Sequence, residues 1–372
     1  MLRTHPWLRW AAPVLTAVLL AGGGAAATTI TADAGAKLPH RSAAQLLADV
    51  SNAKVHGLSG TVVENADLGL PALPDVGGDG SSNLSSLVSG SHTWRVWYAG
   101  PERMRLSLVG SAGESDIVRD GTDLWGWSSQ TKRASHLTIP AEHGKPPTSA
   151  RALARGLTPQ QVARQALKAI EPSTKVSTSG TATVAGRSAY ELVLRPRDHR
   201  SLVGAVRIAI DGASRVPTRV QVIARDTGKP AFEVGFTSFT PRTPDPSVFR
   251  FNPPPGTKVT KGSPFDLAGG MGGLPAMGKL TAPQVVGHGW TTVLVGELSG
   301  RQRTVPSKRS GMDLGALLSA MPKVSGPWGS GRLLHGPLFS LLLTNDGRVA
   351  VGAVQPAMLY HALGKVPAAS AP

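Results

Sequence analysis

The chain of 372 residues contains no cysteine. That absence excludes disulfides, thiolate metal sites and a cysteine nucleophile. It also excludes a thioether-linked lipid on this chain. Catalytic signatures are missing too. There is no G-x-S-x-G elbow, no H-E-x-x-H and no phosphate loop carrying a lysine. Aromatic residues are sparse at 5%, and charged residues reach only 17%. Long apolar runs are confined to one place, the first thirty residues.

That N-terminal stretch has a clear grammar. Arg3 and Arg9 lie in a short basic segment with Trp7 and Trp10, and Ala11 to Ile30 then runs uncharged. Basic flank, apolar stretch and small residues together make an export signal. "AAA" at 25–27 or "ADA" at 32–34 would supply a cleavage site. The alternative is an uncleaved anchor, since about 20 apolar residues can span a bilayer, although Gly22-Gly23-Gly24 weakens that helix. Residues 1–34 are expected to be one or the other, with the rest of the chain outside the cytoplasm.

Composition bounds the remainder of the chain. Apolar residues make up 41%, enough for real cores. Forty-four glycines and thirty prolines call for many turns. The formal net charge is +16, and losing residues 1–34 removes two arginines and one aspartate and leaves +15. An exported chain without basic clusters interleaved with aromatics does not suit nucleic acid. The charge suits an anionic membrane surface or acidic headgroups, or a solvated surface with no specific partner.

Periodicity then sets out an α+β chain. Ser42 and Gln45 form a capping box before a helical stripe of Ala43, Leu46, Leu47, Val50 and Ala53. A strand "GLSGTVVEN" comes next, and residues 67–91, rich in Gly, Ser, Pro and Asp, read as a long loop. Strands then come in succession. Trp94, Val96 and Tyr98 share one face, as do Met104, Leu106 and Leu108. Asp120-Gly121 marks a tight turn, and "KRASHLTIP" closes the meander. Trp125 and Trp127 fall on the face opposite Leu124, as rim or packing residues. A second helix is expected from Thr158 to Pro172, with Val162, Ala166, Leu167 and Ile170 as its stripe. Strands resume to "PAFEVGFTSFTP", where Phe232, Val234 and Phe236 alternate. About ten antiparallel strands of this kind curl or pack upon themselves, and the two helices would bury their stripes on the concave face.

The sheet is followed by "DPSVFRFNPPPGTKV". Two phenylalanines can enter a core from an extended segment, the prolines would stop further pairing, and Gly256 would supply a turn. The order helix, meander, helix, meander, the segment "YAGPERMRL", and Phe249, Phe251, Pro254, Gly256 and Val259 in the spacing F-x-F-x-x-P-x-G-x-x-V resemble the LolA-like superfamily. That superfamily holds envelope lipoprotein carriers and, as a related form, the N-terminal domain of the MucB/RseB regulators. The resemblance covers residues 37–261. It implies a half-open antiparallel β-barrel, lidded by helices, that accommodates acyl chains. Trp94, Val96, Tyr98, Met104, Leu106, Leu108, Phe232, Val234 and Phe236 are the candidate cavity residues, though alternation alone equally suits a filled core.

Residues 262–279 hold six glycines and read as a linker between separately folding units. Residues 280–365 are expected to form a small α+β domain in the order β-α-β-β-α. The strand is "GWTTVLVGEL" and the first helix carries Leu314, Leu317, Leu318 and Met321. A hairpin turns at Asn345-Asp346-Gly347, and Pro356 opens the last helix. MucB/RseB proteins also carry a second domain. Metal sites find no support. His136 and His143 lack a third ligand and read as surface or satisfied histidines. Glu64, Asp67, Asp75 and Asp79 gather near the long loop without calcium-ligand spacing. The sequence therefore suggests a non-catalytic exported envelope protein with no cofactor. It would bind acyl chains or lipoproteins, or alternatively act as a regulator on a membrane partner such as an anti-sigma factor.

Overall fold

The computed structural model describes residues 38–70, 87, 89–111, 113–139, 164, 167–262, 280–298 and 321–366. The N-terminal segment 1–34, most of the 67–91 loop, the linker 263–279 and the helix expected around Leu314 lie outside the described residues. Of the helix expected at 158–172, residues 167–170 are helical, with Leu167 and Ile170 half-buried.

Helix α1 (Ala43–Asn52) begins as the capping box requires. The Gln45 amide donates to Ser42 Oγ at 3.3 Å, and Gln45 Oε1 accepts from the Ser42 amide at 2.8 Å. Eleven strands come after it: β1 (Leu58–Ala66), β2 (Gly90–Tyr98), β3 (Arg103–Gly110), β4 (Gly113–Asp120), β5 (Asp123–Ser128), β6 (Arg133–Thr138), β7 (Thr174–Val184), β8 (Arg187–Pro196), β9 (Val203–Asp211), β10 (Pro217–Ala224) and β11 (Pro230–Thr240). With β12 (Lys258–Lys261) they make one twelve-stranded sheet in the order β12-β6-β5-β4-β3-β2-β1-β11-β10-β9-β8-β7. The end strands β12 and β7 do not pair, so the sheet is an open half-barrel.

Its curvature is uneven. Registers from β2 to β6 run without shifts. The other half has bulges at Thr61/Val62, Pro217/Arg219, Val222/Ile223 and Ser179/Ala182. Bulges bend a strand and increase its twist. The effect is visible in β7 and β11, which come within 8 Å of each other. Four strand spacings would hold them roughly 19 Å apart in a flat sheet. At the bulge in β1, Gly60 is required by crowding, because a Cβ there would lie 2.1 Å from the Ser238 carbonyl oxygen.

Register assigns the faces. The row Leu192–Ile208–Val220–Val234–Glu64–His92 is one set of cross-strand partners, and Phe236–Val62–Trp94–Leu108 is the next row on the same face. Helix α1 lies on this inner face, where Leu46 packs with Tyr190, Leu192 and Ile210. The helix thus buries its stripe where the sequence expects it.

The proline-rich segment departs from expectation. It does not end the sheet. After β11 the chain crosses the outer face, over a span of seven strand spacings, roughly 34 Å. A 3-10 turn at Pro246–Phe249 sits over β3 and β4, its first amide capped by Asp245. Arg105 donates to the Val248 carbonyl at 3.3 Å. Phe249 is wholly buried, and the Phe251 ring lies 5.3 Å from Trp125 and 6.3 Å from Trp127. Both phenylalanines therefore pack on the outer side, not the inner one. Pairing then resumes, because Gly256 takes φ +79° and releases the chain from the prolines. Lys258–Lys261 joins β6 in parallel, so this pair departs from the all-antiparallel expectation.

A second sheet of six strands comes next: β13 (Leu280–Val286), β14 (Val293–Leu298), β15 (Lys323–Gly326), β16 (Gly329–His335), β17 (Ser340–Thr344) and β18 (Arg348–Gly352), in the order β13-β14-β18-β17-β16-β15. Three strands are additions to the order that periodicity predicts: β13, β15, and one gained where the first arm of the expected hairpin divides into β16 and β17. The final helix α2 (Pro356–Lys365) places Leu359, Ala362 and Leu363 on Val293, Val295, Leu342 and Ala350. Arg348, only 6% exposed, ties this unit together. It donates to the carbonyls of Leu363, Val366 and Trp328 at 3.2, 2.8 and 2.8 Å and pairs with Asp346. Two of those carbonyls lie at the C-terminal end of α2, where a cation is favoured, and the Leu363 carbonyl also accepts from the Val366 amide at 3.3 Å.

The two sheets are docked, whereas a linker alone would lead one to expect few contacts. The Leu202 amide donates to the Ala353 carbonyl at 2.9 Å, and Gln355 to Arg200 at 3.2 Å. Trp290 Nε1 donates to Thr174 Oγ1 at 2.8 Å. Gly336 lies against the Leu68 carbonyl and Pro337 against Gly69.

Candidate functional site

All nine candidate cavity residues lie on the inner face, and all belong to one contiguous apolar cluster. Trp94, Val96, Leu106, Leu108, Val234 and Phe236 are buried, while Tyr98, Met104 and Phe232 are half-buried. The reason is alternation. β2 and β3 pair Trp94 with Leu108, Val96 with Leu106 and Tyr98 with Met104. β1 and β11 continue the surface, pairing Val62 with Phe236 and Ala66 with Phe232. Phe236 and Phe239 meet edge-on at 4.9 Å because the β1/β11 bulge turns both to this side.

The surface has two ends. At one, β1 ends and β2 begins, and β7 and β9 begin too. The second sheet docks here, and its Trp290, Leu338 and Ala353 pack against the cluster. At the other end, Leu58, Tyr98 and Met104 close the rows. A cleft of about 290 Å³ opens at the α1–β1 and β9–β10 connections. It is bordered by Lys54, His56 and Arg242, and reaches the apolar cluster through Val55 and Val216. A separate hollow of about 500 Å³ at Pro101, Glu102, Arg103 and Asp120 lies over the turns and is polar in lining.

Two neighbouring members of the inner face, Glu64 and His92, break its apolar character. Glu64 sits in register with Val234 on one side and His92 on the other, and is 5% exposed. It has no hydrogen-bond or ion-pair partner among the described residues. Burial pushes its carboxyl up to about 7. His92 is buried beside it. Neither is singled out for this surface by motif or composition. Parity is the available signal, since Val62, Glu64 and Ala66 alternate onto the face of Trp94. Asp67 is exposed at the strand's end, while Asp75 and Asp79 lie outside the described residues.

The outer face carries a second buried charge. Asp116 pairs with Arg105 at 2.5 Å beneath the crossing segment. Burial pushes the Asp116 carboxyl up to about 6, and Glu114 adds to the rise while Ser107 and Arg105 oppose it. The Arg105 guanidinium also lies 5.8 Å from the Trp97 ring. His136 bonds Asp123 at 2.7 Å and stacks on Trp125 at 4.1 Å, so it is a satisfied histidine. His143 lies outside the described residues.

These features define an open β half-barrel with an apolar inner face, a helix laid on it and a second sheet docked at one end. No family model matches the chain, and no curated protein matches it. Among solved structures it is similar to MucB in the Pseudomonas aeruginosa MucA/MucB complex. The identity is 15% and the TM-score 0.43, covering 86% of this chain and 96% of MucB. It is also similar to a LolA-superfamily protein from Nitrosomonas europaea, at 11% identity and a TM-score of 0.21, covering 57% of this chain and 99% of the other. A putative outer-membrane lipoprotein-sorting protein domain from Vibrio parahaemolyticus shows 9% identity and a TM-score of 0.20, covering 53% and 92%.

Proposed function

We propose that the chain is a non-catalytic, exported envelope protein that holds acyl chains of a lipid or lipoprotein on the inner face of its half-barrel. The observation that carries this reading is the continuity of the apolar surface across β1, β2, β3 and β11, with the cleft at one end of it. Such a surface suits an acyl chain, which needs apolar contact along its length and no directional bonds. Export is supported by the basic-then-apolar N-terminus, and the excess of Lys and Arg by attraction to anionic membrane surfaces. Nothing in the sequence motifs supports a nucleophile, a metal or a cofactor.

The docked second sheet favours a second reading, regulation of a membrane-bound partner such as an anti-sigma factor. A minimal carrier has no need of it, and through Trp290 and Leu338 the second sheet touches the same cluster that a ligand would occupy.

One substitution tests the first reading. Leu106→Arg introduces a charge at a position 9% exposed. In a filled core an unpaired buried charge costs several kcal/mol. In an open trough the guanidinium reaches water while its stem covers apolar surface. The expected result is a protein that still melts cooperatively but no longer binds a fluorescent fatty-acyl probe. Absence of saturable probe binding by the unmodified chain would remove the carrier reading and leave the regulatory one.

A further inference from the structure

The inner face carries a carboxyl that acyl packing does not explain. Glu64 is a carboxyl placed between Val62 and Ala66 along β1, and between Val234 and His92 across the sheet. Trp94, Phe232 and Phe236 occupy the diagonal positions. Burying a polar group without a partner costs free energy that leucine would not incur. Glu64 has no partner among the described residues, and it faces the surface proposed above for a ligand. It also sits toward one end of that surface. From Glu64 to Leu58 the strand runs roughly 20 Å, at about 3.3 Å per residue.

We propose that Glu64 is the polar anchor of the inner-face site. The ligand it selects is an amphiphile whose acyl carbonyl, ester or amide, accepts a hydrogen bond from the Glu64 carboxyl while its chain lies along β1 toward Leu58. This inference rests on the acyl-binding reading and names the ligand's chemistry. The apolar surroundings decide between a neutral acceptor and a cation. A cationic headgroup would require two charges to be desolvated together. A neutral carboxylic acid donating to a carbonyl requires none. Burial that holds the Glu64 carboxyl at about 7 keeps it protonated below neutral pH, in the donating form. His92 is the one titratable side chain in register with it on the flanking strands, and as a cation it would favour the carboxylate. The preference for a carbonyl should therefore be strongest where Glu64 carries its proton and fade as pH rises through about 7.

The test uses the chain as exported and three fluorescent probes of equal chain length: an alkyl chain without a carbonyl, an acyl ester and an acyl amide. At pH 6 the unmodified protein should bind at least one carbonyl probe about tenfold more tightly than the alkyl probe, the scale of one hydrogen bond. Glu64→Leu should fold, as a thermal melt would show, and bind all three alike. Glu64→Gln, which still donates, should keep the preference and lose its pH dependence. Separate loss of the ester or the amide preference identifies which linkage is read. If the unmodified protein binds all three probes equally, or Glu64→Leu keeps the preference, the anchor is refuted while acyl binding stands. If no probe binds at any pH, acyl binding itself fails and the anchor with it.

Discussion

Replacing Phe249 by alanine tests whether the crossing segment holds the outer face together. Phe249 is wholly buried, whereas Phe251, two residues on, is half-buried against Trp125 and Trp127. Removing a buried phenylalanine ring costs about 3–5 kcal/mol, from lost transfer energy and the cavity left behind. In a unit of this size each kcal/mol lowers the melting temperature by about 2–4 °C, so the first half-barrel should melt roughly 6–20 °C lower. Phe251→Ala should cost about 1–2 kcal/mol, since its ring keeps partial solvent contact and loses chiefly aromatic packing. The segment is also anchored by Arg105 to the Val248 carbonyl and by the β12–β6 pairing. Loosening it should therefore expose residues 250–262 to protease before the rest of the sheet. Calorimetry and timed proteolysis of both variants read the two effects. Equal stability losses in the two variants, or an unchanged cleavage pattern in Phe249→Ala, would show that the segment merely rests on the sheet.

Buried charges give two further expected outcomes. Arg348→Met removes the guanidinium donor from the carbonyls of Leu363, Val366 and Trp328, leaving Leu363 only the Val366 amide, so the second sheet should lose about 3–5 kcal/mol, read as a lower melting transition. For pH, both Glu64 and Asp116 bind protons more tightly folded than unfolded, with values of about 7 and about 6 against ordinary values of 4.5 and 3.8. Their contribution is complete below about pH 4 and is lost as pH rises through 6 and then 7, each worth about 3 kcal/mol. Denaturation at a series of pH values should show stability falling from about pH 4 to about pH 7, and Glu64→Gln should remove the last part of that fall, between about pH 6 and 7. A flat profile in the unmodified chain would mean that neither acid is buried as described.

What the sequence disclosed depends on how local each signal is. Strands β2 and β3 announce themselves because Trp94, Val96 and Tyr98, then Met104, Leu106 and Leu108, repeat every second residue on one wetted sheet. The Asp120-Gly121 turn is equally local, and Gly121 takes the φ of +64° that such a turn demands. The capping box at Ser42 and Gln45 needs only four residues. The return of the chain at Lys258 is of another kind. Its partner β6 lies more than a hundred residues earlier, and three prolines locally argue against any strand at all. Only the geometry of the crossing, anchored by Phe249 on the outer face, makes that pairing available.

Glu64 shows why a legible pattern can still be misassigned. A glutamate near a loop with three aspartates draws attention as a surface acid or a cation ligand, because charge normally seeks water. Counting parity gives the opposite answer. Val62 and Ala66 are core residues, a strand alternates with period two, and Glu64 lies between them on the same face. Composition and periodicity thus disagree at Glu64. An acid kept on an apolar face against its solvation cost marks the place where packing alone does not account for the sequence, and it is at such positions that a binding surface differs from a core.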